Sequence, residues 1–382
     1  MTVEIKQNDN VITSILCVHQ GYELYGSDRS FALSVATLQE LYPEAEIDVI
    51  IPKDGSIRQL LVPVCSNLIV NDDLAVLRKK ELANHPIRFI YKVIRGVAKA
   101  LSTSKKYDFV YINTIVVLDY LVAARFMKGL VALHVREIPT GIQRVIFSKL
   151  LSFSRMNLVF NSMSTLHSFD LPDGQNKAVV LNGLKGFSHT PLREGVGQSL
   201  RILLIGRLTP WKGQMFFLNA LNKLLKLKKF NIDVRIVGDV FDKQVNYKND
   251  LQKYVGDHAL GDVVTFKEFT ESPENEYQWS DVVVIPSVKP EPFGRVAIEA
   301  MSVGRCVVAA NHGGLTEIIE DKVNGVFFEK NNLDSLVGEL QILLSSSGLI
   351  SQYAEQGHQT FHNKFSDAAY RNRFKAAITG LV

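Results

Sequence analysis

Apolar runs of strand length alternate with segments of helical period along the first half of the chain. Val11–Val18 (VITSILCV), rich in β-branched residues, precedes a glycine-containing loop and a segment, FALSVATLQELYP, whose apolar positions fit a helix. The same patterns predict strands at 47–51, 68–70, 109–112, 130–134 and 156–160, and helices at 87–102 and 115–127. Repeated strand–loop–helix units are typical of a doubly wound α/β domain with a parallel sheet.

The alternation restarts near residue 200. Strands are predicted at 201–205, 234–237, 263–269 and 281–286, a short strand in VNGVFFE, and helices at 215–229, 333–344 and 366–382. Asn182-Gly183 is a turn signal, and 185–199 (KGFSHTPLREGVGQS) combines glycine, proline and polar residues without a period. A chain of 382 residues is also too long for one ordinary core. The sequence therefore predicts domains at 1–184 and 200–365, a linker at 185–199 and a terminal helix at 366–382.

Composition narrows the class of protein. The chain is 46% hydrophobic and 21% charged, and no apolar run approaches the ~18–20 residues of a membrane span. The N-terminal stretch MTVEIKQNDN lacks the apolar core of a secretory signal. Cys17, Cys65 and Cys306 lie in apolar surroundings without metal-ligand spacing, which predicts buried thiols in a reducing compartment. We therefore expect a cytoplasmic protein.

Positive charge is concentrated in the first half. Between Arg78 and Arg155 there are 15 Lys and Arg residues against four acids, although the net charge of the whole chain is only +4. An anionic membrane surface, a nucleic acid and a merely solvated face are competing interpretations, and the chain contains no recognised nucleic-acid module. Ile87–Ser102 repeats apolar residues at helical spacing beside cations, which suits either a membrane-surface helix at the inner face of the membrane or a helix with a core face.

The segment from Pro286 to Ile319, PSVKPEPFGRVAIEAMSVGRCVVAANHGGLTEII, places Glu291 and Glu299 on either side of a predicted helix start. The backbone amides around Phe293, Gly294 and Arg295 would be unpaired donors there, and such donors favour an anion. Free amides flanked by two carboxylates suit a phosphorylated ligand that carries hydroxyl groups.

A second candidate site is the turn GRLTPWKGQ that follows the strand at 201–205. Gly206 permits close backbone approach, Thr209 is a candidate helix cap, and Pro210 suits a first helical turn. Arg207 and Lys212 would then lie beside a helix N-terminus, an arrangement suited to binding a diphosphate. The alternative interpretation is a pair of surface cations at an ordinary turn.

These two segments, with Asn182-Gly183, resemble the retaining, nucleotide-sugar-dependent glycosyltransferases of family four (glycosyl transferases group 1), which carry an E-x7-E motif. The resemblance covers most of residues 180–330, and the first half matches only in outline. It implies the GT-B fold: two Rossmann-like doubly wound α/β domains facing a cleft, with a C-terminal helix that crosses back to the first domain. It also implies that the first domain binds the acceptor and the second the donor.

The resemblance implies a role for each matching residue. Arg207, Lys212 and the amides near Arg295 would bind the diphosphate, Glu291 the sugar hydroxyls and Glu299 the ribose. His134, at the predicted end of a strand, matches a histidine near the reacting sugar. The catalytic set implied is His134, Glu291, Arg207 and Lys212, and the donor-binding set is Gly21, Gly206, Arg207, Lys212, Gly238, Glu291, Phe293, Gly294, Arg295 and Glu299.

The implied reaction transfers a sugar, with retention, from a nucleoside diphosphate to a hydroxyl of a glycan or lipid-linked acceptor in cell-surface polysaccharide synthesis. No cofactor is expected, and the absence of a D-x-D motif favours metal independence. UDP is favoured over GDP, although Glu268 stands where the family usually has a glycine near the base. Two alternatives remain open: a nucleotide-sugar epimerase on the same scaffold, and a non-catalytic nucleotide-sugar-binding subunit.

Overall fold

The structure, a computed structural model, describes residues 11–154, 156–194, 196, 199–228, 230–240 and 245–381. The polar stretch 1–10, three residues of the expected linker (195, 197 and 198), and residues 229 and 382 at expected helix ends lie outside these ranges. The chain divides into two compact units. The first comprises residues 1–160, 168–180 and 373–382, and the second comprises 161–167 and 181–372. The division at Val180 falls slightly before the expected boundary at 184, and the expected linker belongs to the second unit.

The first unit is built on a seven-stranded parallel sheet with the order β3-β2-β1-β4-β5-β6-β7. Its strands are β1 (Ser14–His19), β2 (Glu46–Ile51), β3 (Asn67–Val70), β4 (Phe109–Asn113), β5 (Leu130–Val135), β6 (Asn157–Phe160) and β7 (Lys177–Val179). Strand β4 is completely buried, as is expected of a central strand covered on both faces. The strand order reverses direction between β1 and β4, which makes their carboxyl ends the expected ligand edge of this sheet.

The second unit repeats this plan with six parallel strands in the order β10-β9-β8-β11-β12-β13. These are β8 (Leu200–Ile205), β9 (Ile232–Val237), β10 (Val264–Lys267), β11 (Val282–Ile285), β12 (Cys306–Ala310) and β13 (Val326–Phe328). Its order reverses between β8 and β11. The two segments that carry the predicted donor residues follow these two strands, so the topology brings them to one edge of the sheet.

Fourteen α-helices connect and cover the strands within the described ranges. They are α1 (Gly26–Leu41), α2 (Arg58–Leu61), α3 (Lys79–Asn84), α4 (Pro86–Ser104), α5 (Leu118–Ala123), α6 (Ile142–Ser154), α7 (Met163–His167), α8 (Gln214–Leu227), α9 (Val245–Asp257), α10 (Glu274–Trp279), α11 (Arg295–Val303), α12 (Leu333–Ser345), α13 (Ser347–Thr360) and α14 (Asp367–Leu381). None of them combines the length and apolarity that a membrane span requires.

The apolar residues that recur along α4 do not face the core, which was one of the two interpretations of the sequence pattern. Its buried residues are Phe89, Gly96, Ala100 and Ser104, on the side of the helix opposite the isoleucines. Small residues on the inner side let α4 pack closely on α5: a Cβ at Gly96 would lie 2.8 Å from the Asp119 side chain. The larger apolar residues consequently face outward.

The last helix returns to the first unit, as the resemblance predicted. Residues from Arg373 onward belong to that unit. There Phe374 packs edge-on against Tyr111 and lies parallel to the His134 ring, with centroids 5.7 and 6.2 Å away. Lys375 Nζ also donates to Glu40 at 2.9 Å. The predicted stripe of Tyr370, Phe374 and Ile378 is fully buried.

The cysteines are free thiols. Cys17 and Cys306 are fully buried in the two sheets, as predicted, and burial raises the pKa of both. Cys65 is only half-buried.

Candidate active site

The turn between β8 and α8 owes its path to three glycines. Gly206 has a φ of +139°, and Gly238 at +146° lies so close that a Cβ there would sit 2.0 Å from the Gly206 carbonyl oxygen. Gly213 has a φ of +79°, and its Cβ would lie 1.8 Å from the Pro286 carbonyl oxygen. A side chain at Gly213 or Gly238 would displace backbone, and at Gly206 the positive φ alone favours glycine. They let the β8–α8 turn contact the segment that follows β11.

The left-handed Gly213 separates two helical segments. A short 3₁₀ turn spans Pro210–Lys212, and α8 begins at Gln214, one residue before its predicted start. Thr209 makes no capping bond, so its predicted role as helix cap is wrong. The Arg207 side chain is exposed, and its carbonyl oxygen accepts from Gln214 Nε2 at 3.0 Å.

Lys212 and Glu291, predicted to bind different parts of a ligand, contact each other. Lys212 Nζ donates to Glu291 Oε1 at 2.6 Å, and Ser287 Oγ donates to the same oxygen at 2.6 Å. The Glu291 side chain is 7% exposed and that of Lys212 20%, so the pair is largely shielded from solvent. Lys212, Ser287 and Val296 help to line a small pocket beside the pair. A ligand entering it would meet a cation whose charge is already partly balanced.

Contacts from the segment that follows β12 fix the loop that carries Glu291. Gly314 N donates to the Glu291 carbonyl at 2.8 Å, and Gly313 (φ +63°) would place a Cβ 2.6 Å from that oxygen. His312 Nε2 donates to the Ser287 carbonyl at 2.6 Å, and burial lowers the pKa of this histidine. The Asn-His-Gly-Gly sequence therefore fixes the position of both Glu291 and its partner Ser287.

At the start of α11, Gly294 is the N-terminal cap residue with a φ of +110°. A Cβ there would lie 2.6 Å from Leu315, which accounts for the glycine. Phe293 is buried against Phe365, with ring centroids 6.0 Å apart. The first amides of α11 lack intrahelical partners by geometry, so this end is an anion-binding feature beside the Glu291 loop.

One turn further along α11, both oxygens of Glu299 accept hydrogen bonds. Tyr277 OH donates to Oε2 at 2.7 Å and Arg295 Nε donates to Oε1 at 2.7 Å. The Glu299 side chain is 14% exposed. Burial and the neighbouring carboxylate raise the pKa of Tyr277 well above its usual range, so its hydroxyl remains a donor. Arg295 thus orients Glu299 in addition to lying near the helix start.

In the first unit, polar side chains meet at the carboxyl ends of β1, β4 and β5 and form a buried chain. Arg136 Nε donates to Asn113 Oδ1 at 2.7 Å, and Asn113 Nδ2 is 2.8 Å from His19 Nδ1. His19 Nε2 is 2.7 Å from Asp28 Oδ1. Arg136 Nη2 lies 3.2 Å from Nδ1 of His134.

The guanidinium group sets the proton positions along this chain because it only donates. Asn113 must therefore accept from Arg136 and donate to His19, which leaves the His19 Nε2–H to bond Asp28. By the same argument the His134 Nδ1 accepts, from Arg136 and from the Tyr111 hydroxyl at 2.8 Å, so the His134 proton is on Nε2. Burial, reinforced by the Arg136 charge, holds the pKa of His134 well below its usual range. His134 is thus a neutral donor.

The structure places two predicted residues differently from their implied roles. His134 is completely buried, and its Nε2 has no hydrogen-bond partner among the described residues. A substrate can reach this atom only if the covering residues move. Gly21 leaves room for the buried His19–Asp28 pair, since a Cβ at Gly21 would lie 2.0 Å from Asp28 Oδ1. This packing requirement explains the glycine without any ligand.

Sequence reasoning missed the residues that hold the site together. Ser287, Tyr277 and His312 are ordinary polar residues whose partners lie 4 to 25 positions away. Of these three residues only Ser287, four positions before Glu291, lies close enough in the chain to be predicted from the motif. The role of Arg136 was not accessible from the sequence, because its partner Asn113 lies on β4, 23 positions away in the chain.

Comparison with known proteins matches the second unit to one family. Residues 194–360 match the family model described as Glycosyl transferases group 1. An uncharacterized glycosyltransferase of Methanocaldococcus jannaschii is 35% identical over 167 residues, which cover 43% of this chain and 41% of the relative. Lipopolysaccharide 1,2-N-acetylglucosaminetransferase of Salmonella typhimurium is 30% identical over 179 residues, 46% of each protein. The matched region thus spans less than half the length of these curated relatives.

The whole chain has counterparts among solved structures. Anabaena HepE in complex with UDP-glucose aligns with a TM-score of 0.76 over 96% of this chain and 99% of that chain, at 21% identity. At this identity the likeness establishes the fold. The expected α/β GT-B fold, with two Rossmann-like units built on parallel sheets, is confirmed.

Proposed function

We propose that this protein is a retaining glycosyltransferase that moves a sugar from a nucleoside-diphosphate sugar to a hydroxyl of a glycan or lipid-linked acceptor. The observation that carries the proposal is the meeting of Lys212, Glu291 and the start of α11 at one sheet edge, with Glu299 one turn beyond. The family match of residues 194–360 and the GT-B fold support the same conclusion.

The charges of the site suit departure of a diphosphate. As the glycosidic bond breaks, its electron pair leaves with the phosphate oxygen, and negative charge grows there. Lys212, Arg207 and the first amides of α11 would stabilise that charge without a metal ion. The two members of the Lys212–Glu291 pair would have different roles: the cation would bind the phosphates, and the second carboxylate oxygen of Glu291 would bind sugar hydroxyls.

The carboxylate of Glu299 is suited to accept hydrogen bonds from a pair of hydroxyl groups. An ionised carboxylate has about four acceptor positions, and Tyr277 and Arg295 occupy only one on each oxygen. The remaining positions suit the two hydroxyls of a ribose. Tyr277 and Arg295 would act as positioning residues for this contact.

The first unit contributes a donor and not a base in this mechanism. Since His134 carries its proton on Nε2, it would donate to a sugar hydroxyl once uncovered and could not remove the acceptor proton. No other described residue of the proposed site is a clear nucleophile, which favours front-face transfer in which a leaving-group oxygen takes the acceptor proton.

Donor identity is the first test. A thermal-shift panel of UDP, GDP, ADP and dTDP sugars should give its largest stabilisation with one base, and we expect UDP, the nucleotide bound by HepE. With the selected donor, NMR of the product should show an unchanged anomeric configuration. The rate of transfer should be the same with and without EDTA. Conversion of the donor sugar without an acceptor would instead support an epimerase, and binding without turnover a non-catalytic subunit.

A further inference from the structure

The outer surface of the first unit carries large apolar residues that the fold leaves uncovered. On α4 they recur at helical spacing and form the α4 stripe: Ile87 (83% exposed), Ile90 (55%), Tyr91 (66%) and Ile94 (65%). On α6 a second series forms the α6 stripe: Ile142 (71%), Val145 (45%), Ile146 (50%) and Phe153 (55%). Scattered exposed apolar residues are normal, but two ordered stripes on helices of the same unit indicate an interaction surface.

Both stripes belong to one layer of the unit. The crossovers from β3 to β4, β4 to β5 and β5 to β6 all run in the same direction across the sheet. Right-handed crossovers place the helices of these connections on the same sheet face. In agreement, α4 contacts α5 and α5 contacts α6. The N-terminal halves of α4 and α6 therefore lie at the carboxyl edge of the sheet, the edge that carries the buried polar chain of Arg136.

The charged residues of α4 and α6 themselves are all cations, although two of these cations have an acidic neighbour on another segment. Helix α4 has four cations beside its stripe and no acid, and α6 has two cations and no acid. Arg88, Arg95 and Lys99 are exposed, whereas Lys92 is partly covered and lies 3.8 Å from Glu81 of α3. Arg144 of α6 is paired with Asp170. The surface is thus apolar with a cationic border, complementary to an anionic surface with an apolar interior.

We propose that the α4 and α6 stripes form a docking surface for an anionic lipid bilayer, with isoleucines entering the headgroup boundary and cations contacting lipid phosphates. Interfacial helices have this combination of an apolar stripe and a basic border. A second copy of the chain fits less well, because a self-interface would bring cationic helices together without acids on either. Nucleic acid also fits poorly, since aliphatic side chains do not stack on bases and the α4 stripe has one aromatic residue.

Vesicle sedimentation of the full chain tests this docking surface without reference to sugar chemistry. At low salt the protein should pellet with vesicles of phosphatidylcholine containing about one third phosphatidylglycerol, and much less with phosphatidylcholine alone. Raising the salt should release it, because the screening length falls from ~30 Å at 0.01 M to ~8 Å at 0.15 M. Equal pelleting with both kinds of vesicle, or with neither, would overturn the proposal.

Two double variants separate the parts of the surface. Arg88→Gln with Arg95→Gln should weaken binding to the anionic vesicles about 25-fold, roughly fivefold per cation. Ile90→Ser with Ile94→Ser should also reduce pelleting. The matched control is Lys226→Gln with Leu227→Ser on the exposed end of α8, which should bind like wild type.

Two further readouts distinguish docking from other causes. UDP affinity should be unchanged in all variants, because none of the substituted residues belongs to the proposed donor site, and circular dichroism should show the wild-type fold. Sedimentation velocity tests whether the protein associates with a second copy of itself. A reversible dimer that disappears in the Ile90→Ser, Ile94→Ser variant, without vesicle binding by wild type, would assign the surface to a second copy and refute the bilayer.

Discussion

Replacement of Glu291 by Gln should have opposite effects on nucleotide binding and on sugar transfer. Gln keeps the size of the side chain and an oxygen that accepts from Lys212 and Ser287, which now lie 2.6 Å from Oε1. The change therefore removes a negative charge while leaving the position of Lys212 almost unaltered.

The magnitude follows from two contributions. If a bound phosphate lies about 8 Å from the carboxylate, then at an effective dielectric constant of about 20 its charge is repelled by ~2 kcal/mol. Salt screening and the 20% exposure of Lys212 reduce this to about 1 kcal/mol, so UDP should bind about fivefold more tightly to the variant. Loss of a charged acceptor for sugar hydroxyls removes about 1.5–3 kcal/mol, so kcat/KM should fall by roughly 10- to 150-fold.

Calorimetry with UDP and initial-rate kinetics with the UDP sugar measure the two effects. In a Lys212→Met background the gain in UDP affinity should persist, because the repulsion between the Glu291 carboxylate and the phosphates does not require the cation. Glu355→Gln, an exposed carboxylate on α13, is the matched control and should change neither quantity. Weaker UDP binding by Glu291→Gln would refute the reasoning, since Glu291 would then act mainly by holding Lys212 in place and not by repelling the phosphates.

Three further predictions concern the scaffold of the site. Tyr277→Phe removes one donor to Glu299 and should weaken UDP binding by ~1 kcal/mol in calorimetry, with an unchanged fold; equal affinity would exclude a positioning role. Gly213→Ala should lower stability by about 2–4 kcal/mol in thermal unfolding, because the new Cβ meets the neighbouring carbonyl at positive φ, whereas Gly338→Ala, in an open helical position, should raise it. Burial keeps the pKa of His134 low in the folded protein, so as the pH falls the ring is protonated in the unfolded chain before it is protonated in the folded one. The free energy of unfolding should therefore fall as the pH drops below about 6.5, and His134→Gln should reduce this loss by ~1.4 kcal/mol per pH unit. An identical dependence of stability on pH in the variant would contradict a neutral buried ring.

The alternation of apolar strands and amphipathic helices was sufficient to predict two doubly wound units, because parallel strands buried on both faces read as apolar runs in any context. The strand predicted at 109–112 appears as β4 at Phe109–Asn113, for example. The start of the helix predicted at 215–229 was correct to within one residue, since α8 begins at Gln214. The left-handed turn at Gly213 that precedes it was not predictable, because its close contact with the Pro286 carbonyl joins residues more than 70 positions apart.

The α4 stripe shows why a hydrophobic period alone does not assign a core face. The sequence gives the period of Ile87, Ile90 and Ile94, but which side of the helix packs depends on what the neighbouring helix admits. Here Gly96 faces α5, because a Cβ at this position would lie 2.8 Å from the Asp119 side chain.

By itself the sequence determined the fold class, whereas the nucleotide-sugar roles of Lys212, Glu291 and Glu299 rest on a family resemblance and stay predictions. The tertiary structure alone decided which groups contact each other: Lys212 with Glu291, Tyr277 with Glu299, and Arg136 with both His134 and Asn113. Local patterns report secondary structure because it depends on neighbouring residues. Pairings of charge, tautomers and exposed faces depend on residues that the chain brings together from distant strands, and no local pattern contains them.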